Sequence, residues 1–129
     1  MRLCHPDWPD RPASYHVAHP TLVAEQDGAL VGYTVFVVAP DMTRGVTIVH
    51  GRDHGVHPDH RGNGLGMALH VERCVIGREN EAVDFVGVTW EGNHAMRAIF
   101  TRCGYRPYGE APGAFPGGVA GVVWIGSLG

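Results

Sequence analysis

β-rich apolar runs broken by glycine and proline fill residues 21–58, and apolar residues recur at three- and four-residue spacing in two later stretches, dividing the sequence into strand-forming and helix-forming parts. Residues 1–20 carry Pro6, Pro9, Pro12 and Pro20 with little apolar periodicity, which predicts an irregular or extended lead-in. Leu22–Glu25 and Ala29–Val38 then flank Asp27-Gly28, a pair that supplies the positive φ angles of a tight hairpin turn. The two runs are expected to pair antiparallel. After a loop over Pro40–Arg44, GVTIVHGRDHGVHP (45–58) predicts a third strand that Pro58 ends. Gly51 and Gly55 inside it point to a bulge or a close approach.

From Gly64 the period lengthens. Leu65, Ala68, Leu69 and Ile76 share one helical face while Met67, Val71 and Cys74 share another, which predicts a helix covered on more than one side. AVDFVGVTW (82–90) reads as a strand, apolar on both alternations from Val83 to Val88, and is therefore expected to be central. Asn93 is a candidate N-cap for a second helix burying Met96, Ile99, Phe100 and Cys103, with Gly104 as its stop. Two more strands, YRPYGE (105–110) and VAGVVWIG (119–126), follow across a loop over Ala111–Gly118. The order is β-β-β-α-β-α-β-β, without internal repeat.

Length and composition narrow the function. At 129 residues the chain is read as a single domain, 1–129, with one core. Ten Lys and Arg against thirteen Asp and Glu leave no basic excess for nucleic-acid binding. Three cysteines, Cys4, Cys74 and Cys103, without a C-x-x-C pair argue against a disulfide framework and fit a reducing cytoplasm. No apolar run approaches the roughly 20 residues of a membrane helix, and the N-terminus lacks a signal-peptide core. No membrane partner is expected.

The candidate chemistry lies at residues 54–70, HGVHPDHRGNGLGMALH. A strand stopped by Pro58, then Arg61-Gly62-Asn63-Gly64-Leu65-Gly66, then a helix, leaves the first-turn amides of that helix free. Glycines keep side chains off this backbone and the helix dipole favours negative charge there, so the loop suits a phosphate or pyrophosphate. No lysine follows the glycines as a Walker loop requires, and their spacing is wrong for a dinucleotide fingerprint. His54, His57 and His60 stand at i, i+3 and i+6, but on a strand end and loop that spacing does not converge, so no metal site is expected.

VHPDHRGNGLGMAL resembles the acyl-CoA signature of the GNAT superfamily of N-acetyltransferases, with Arg61, Gly64 and Gly66 at its defining positions. NHAMRAIFTRCGYRP is similar to the second signature of that family, through Asn93, Ala95, Phe100 and Gly104-Tyr105. The resemblance covers Leu22 to about Tyr108 well and the last strands loosely. It implies an α/β fold with a mixed, mainly antiparallel central sheet and two main helices, and acetyl-CoA as co-substrate. By the same resemblance the backbone of Val56 and His57 would bond the pantetheine arm. Amides of Arg61, Gly62, Asn63, Gly64, Leu65, Gly66 and Met67 would hold the pyrophosphate, and Asn93 would contact the cofactor near its thiol.

The chain departs from the family in two places. Family members often roof the acceptor site with N-terminal helices, where this chain has only residues 1–20; a second subunit, as in a homodimer, could supply that roof. The tyrosine that often protonates the leaving thiolate falls at Phe100, which has no hydroxyl, leaving Tyr105 and Tyr108 as the nearest replacements. An acceptor ammonium of pKa about 10.4 must lose a proton before it attacks a thioester. His54 shares the strand face of Val56 and is the first candidate base, His50 one alternation back is the second, and Glu25 and Glu91 follow. No cysteine is placed as a nucleophile, so the reading is direct transfer from acetyl-CoA to a primary amine, on a small molecule or a protein. A non-catalytic acyl-CoA-binding or regulatory module is the alternative.

Overall fold

The structure is a computed structural model that describes residues 2–4 and 21–129. The remainder of the expected lead-in, residues 1 and 5–20, lies outside the described residues. Nine elements follow in order: β1 (Arg2–Cys4), β2 (Thr21–Gln26), β3 (Ala29–Asp41), β4 (Val46–Val56), α1 (Leu65–Glu79), β5 (Asp84–Trp90), α2 (His94–Arg102), β6 (Arg106–Phe115) and β7 (Val119–Ser127). The strands form one sheet in the order β1-β2-β3-β4-β5-β7-β6, in which only β4 and β5 run parallel. This is the mixed, mainly antiparallel α/β fold expected. Arg2–Cys4 is extended and pairs with Val23–Glu25 at the sheet edge.

The β2–β3 turn is made by Asp27 (φ 53) and Gly28 (φ 78), both left-handed as a two-residue hairpin demands. On β4 the register steps from Val35–Asp53 to Phe36–Gly51, so Arg52 is an extra, bulged residue. One extra residue inverts the alternation. A side chain at Gly51 would strike Phe85 and the Arg73 guanidinium on the helix side, whereas His50 lies on the opposite face, beside Ile48, Val86 and Tyr108. His50 and His54 therefore do not share a face, contrary to the simple alternation.

Both helices pack on one face of the sheet. Leu65, Leu69, His70, Arg73 and Ile76 bury the inner side of α1, and Met96 and Phe100 that of α2. The second expected face is covered in part: Cys74 is buried and Met67 half-buried, while Val71 stays 47% exposed. β5 is central in pairing, but only Phe85, Gly87 and Thr89 are buried; Val88 faces outward. Asn93 caps α2, its Oδ1 accepting the Met96 N–H at 3.1 Å. At the other end Gly104 (φ 78) sends its N–H to Thr101 O and the Tyr105 N–H goes to Phe100 O at 2.9 Å. This double bond pattern swings Tyr105 back into the core, its ring 5.7 Å from that of Phe100. The expected 111–118 loop is mostly strand: β6 continues to Phe115 through an irregular register, and Pro116-Gly117-Gly118 alone makes the turn.

Candidate active site

Three residue pairs join β4 to β5: Ile48 with Asp84, Val49 with Phe85 and His50 with Val86. Beyond them β4 runs to Val56 and β5 to Trp90 without pairing to each other, which leaves a slot between two unpaired strand edges. Such edges accept an extended ligand as an added strand. The register decides which groups of β4 face the slot. His57 N donates to Val31 O at 2.8 Å, so Gly32–Val56 and Thr34–His54 are the alternate pairs whose N–H and C=O point away from β3. Val56 C=O already accepts Arg61 Nε at 3.1 Å, and the His54 N–H goes to the Asp53 carboxylate at 2.8 Å. The Val56 N–H and the His54 C=O remain for a ligand. The His57 backbone does not: its N–H is spent on Val31 and its C=O accepts the His60 N–H at 2.9 Å, because the chain turns there into the 3-10 segment Pro58–His60.

At the mouth of the slot Gly62 (φ 82) and Gly64 (φ 78) hold a left-handed backbone that a β-branched residue would strain to adopt. Gly64 caps α1 without a side-chain acceptor, and the first intrahelical bond runs from Ala68 N to Gly64 O at 3.0 Å. Among the described residues nothing accepts the amides of Gly62, Asn63, Gly64, Leu65, Gly66 or Met67. All of these residues but Asn63 line a cleft of about 450 Å³, at the positive end of the helix dipole, that reaches across to Asn93, Ile99 and Arg102. Leu65 itself is buried and anchors the loop to the core.

Inward of this cleft, at the point where the strands part, lies a crevice of about 90 Å³ lined by Asp53, His54, Arg73, Gly87, Asn93 and Phe100. At roughly 30 Å³ per water it admits an acetyl-sized group and no nucleotide. His54, Asn93 and Met96 border both spaces. With its Oδ1 committed to the helix cap, Asn93 presents its NH2 group.

Under the crevice runs a buried chain of polar groups. Arg73, 1% exposed, donates from Nε to His70 Nδ1 and from Nη1 to Thr34 Oγ1, both at 2.9 Å. A guanidinium can only donate, so His70 Nδ1 is unprotonated and its Nε2 carries the hydrogen, 3.0 Å from Tyr105 Oη. At the other end the Gly66 carbonyl can only accept, so His54 Nε2 donates to it at 2.9 Å; in a neutral ring this leaves Nδ1 as an acceptor, 2.9 Å from Thr34 Oγ1, whose hydroxyl also lies 3.3 Å from the Asp53 carbonyl. Both imidazoles are neutral. Burial first, and the Arg73 charge second, push His54 down to about 4 and His70 to about 3. Burial also brings Arg73 down to about 10, which leaves it a cation at neutral pH.

This arrangement redistributes the expected roles. Both ring nitrogens of His54 are committed, so it ties β3 and β4 to the first turn of α1 and has no lone pair to offer a substrate. His50 lies across the sheet. Glu25 sits on β2, separated from the slot by β3, and Glu91 is exposed beyond the end of β5. Of the two tyrosines, Tyr105 is buried with its hydroxyl on His70 and Cys74, and Tyr108, 79% exposed, borders the opposite face. His57 caps the 3-10 turn, its Nδ1 accepting the Asp59 N–H at 3.1 Å. No three His, Cys, Asp or Glu side chains among the described residues gather as metal ligands would. Arg73 and Asp53 reach the crevice although the sequence reading did not single them out. An arginine at helical spacing reads as solvent-facing, and only the glycine at position 51, which clears space beneath β4, hinted that a large group fills it.

A mixed sheet splayed at its one parallel pair, with a row of free amides at the mouth, defines a protein that holds an extended ligand with an anionic segment. The model of the acetyltransferase (GNAT) family matches residues 2–105, and the chain belongs to that family. No match was found among curated proteins. Among solved structures the chain is similar to Ard1 from Thermoplasma volcanium, with 15% identity, TM-score 0.76, and 89% of this chain and 74% of that one covered. It is similar also to the ribosomal-protein-S18-alanine N-acetyltransferase from Escherichia coli, with 16% identity, TM-score 0.71, and coverage of 91% and 86%. A third is yncA, a putative acetyltransferase from Salmonella typhimurium with its cofactor acetyl-CoA, with 24% identity, TM-score 0.69, and coverage of 85% and 65%. These likenesses show the fold.

Proposed function

We propose that the chain is an acetyl-CoA-dependent N-acetyltransferase that transfers the acetyl group to a primary amine by direct attack on the thioester. The observation that carries this reading is the continuity of the free amides from Gly62 to Met67 with a slot ending in an acetyl-sized crevice. The amides take the pyrophosphate, the Val56 N–H and His54 C=O take the arm, and the Asn93 NH2 group lies near the thioester. The yncA structure with bound acetyl-CoA and the alanine N-acetyltransferase of the same fold support the choice of donor and of acceptor class.

Asp53 meets the acceptor. Asp53 lines the crevice, and its carboxylate accepts from Tyr33 Oη at 3.0 Å and from the His54 N–H at 2.8 Å, which leaves each oxygen a further lone pair for the acceptor. A carboxylate there attracts the ammonium and takes its proton, directly or through one water. The amine nitrogen then bonds to the acetyl carbon, the C–S bond breaks, and its electron pair leaves on sulfur.

Thiol release from acetyl-CoA, followed across a panel of primary amines, is the direct test. Release that depends on the amine supports transfer, whereas acetyl-CoA binding without release under any amine leaves only a binding module. Asp53→Asn is expected to lower kcat/KM about 100-fold, the usual scale of a lost general base, while acetyl-CoA affinity stays within about twofold. An unchanged kcat/KM removes Asp53 from the mechanism.

A further inference from the structure

Arg73, 1% exposed, is a buried cation without a carboxylate partner among the described residues. Its partners are two neutral acceptors, His70 Nδ1 and Thr34 Oγ1, and the face of Phe85, whose ring centroid lies 4.7 Å from the guanidinium carbon. Two of its five N–H groups are used this way, and Nη2 has no acceptor among the described residues. Burying a charge without a counter-ion costs several kcal/mol, so such a group is expected where an anion arrives. The location is specific: Gly51 has no side chain, the guanidinium occupies the space beneath it, and the crevice between β4 and β5 opens directly above.

We infer that Arg73 holds the thiolate released during transfer. This rests on the transferase reading above. When the C–S bond breaks, the electron pair stays on sulfur, and the guanidinium beneath the crevice stabilises that charge without giving up a proton. The amine's own proton leaves separately, to Asp53 or water, so the step balances with no acid. The design explains why Phe100, with no hydroxyl, can line the crevice: a permanent cation replaces proton donation. The charged or titratable groups around the crevice are Arg52, Asp53 and His54 from β4 and Arg73 from α1, with His70 behind it; β5 and α2 contribute none to the lining. Among the described residues that line the crevice Asp53 is the one opposing charge, and its oxygens accept from Tyr33 Oη and the His54 N–H.

The test titrates the thiol of CoA bound to the full chain, followed by its ultraviolet thiolate band. In the wild type the bound thiol should ionise at least one pH unit below free CoA, a tenfold shift in its acid constant. Arg73→Met keeps the volume and removes the charge, and should abolish the shift while desulfo-CoA binds as it does to the wild type. Arg73→Lys should retain part of the shift, and turnover of the Met variant should fall about 100-fold, the scale of a lost oxyanion donor. A wild-type thiol that ionises as in free CoA overturns the proposal without any variant. So does an undiminished shift in a folded Met variant. Failure of desulfo-CoA to bind the wild type would instead overturn the transferase reading.

Discussion

Gly66→Asp should weaken acetyl-CoA binding by about 100-fold or more and leave the chain folded. The position lies inside the row of free amides, and a Cβ there would point into the cleft, 3.3 Å from Ile99 Cδ1 and 3.6 Å from His54 Nε2. The carboxylate would stand where an anionic segment of the ligand must sit, and like charges brought together at an interface cost several kcal/mol, about 1.4 of which is a factor of ten. The same charge favours the helix, since an acidic residue in a first turn contributes ~0.3–1 kcal/mol through the dipole. Folding and binding therefore move in opposite directions. Gly66→Asn, of equal size and no charge, separates the two causes: calorimetric titration should give it a loss well below that of Gly66→Asp. Retention of wild-type affinity in a folded Gly66→Asp would remove the amide row as the pyrophosphate site.

Much of this site is written in short local patterns. Asp27-Gly28, Gly64, Asn93 and Gly104 each fix a turn or a helix end through their own backbone needs, and each falls at the place their residue types indicate. The amide row follows from Gly64 together with Gly62 and Gly66. What the pattern does not carry is phase. Alternation places His50 with His54 until Arg52 is spent as a bulge, and nothing within the strand marks Arg52 and not Gly55 as the irregular residue. Burial of polar groups is equally hidden, because His70 and Arg73 acquire their partners only when Thr34 of β3 and Tyr105, just before β6, close over them. The histidine best placed in sequence for catalysis is for that reason a strut: once Gly66 C=O and Thr34 Oγ1 take its two nitrogens, nothing is left for chemistry.

That strut and its counterpart make stability fall steeply in mild acid. His54 and His70 ordinarily titrate near 6.5, and in the folded chain at about 4 and about 3. Below pH 6.5 the unfolded chain takes up two protons that the folded chain refuses, so the contribution is complete above 6.5 and is lost as pH falls toward 4. At pH 5 each group is about 1.5 pH units into that window, and the pair together cost about 4 kcal/mol at 1.36 kcal/mol per unit. Set against a total of about 5–15 kcal/mol for an ordinary domain, this is a large fraction. His50, also lowered by burial, adds in the same direction. Urea midpoints measured at pH 7.5 and pH 5 should differ accordingly. His70→Gln keeps a neutral acceptor for Arg73 Nε and cannot be protonated, so it should recover about half of the difference. A midpoint that does not change between the two pH values would mean that the imidazoles accept protons in the folded chain. The acceptor roles of His54 Nδ1 and His70 Nδ1 would then be wrong.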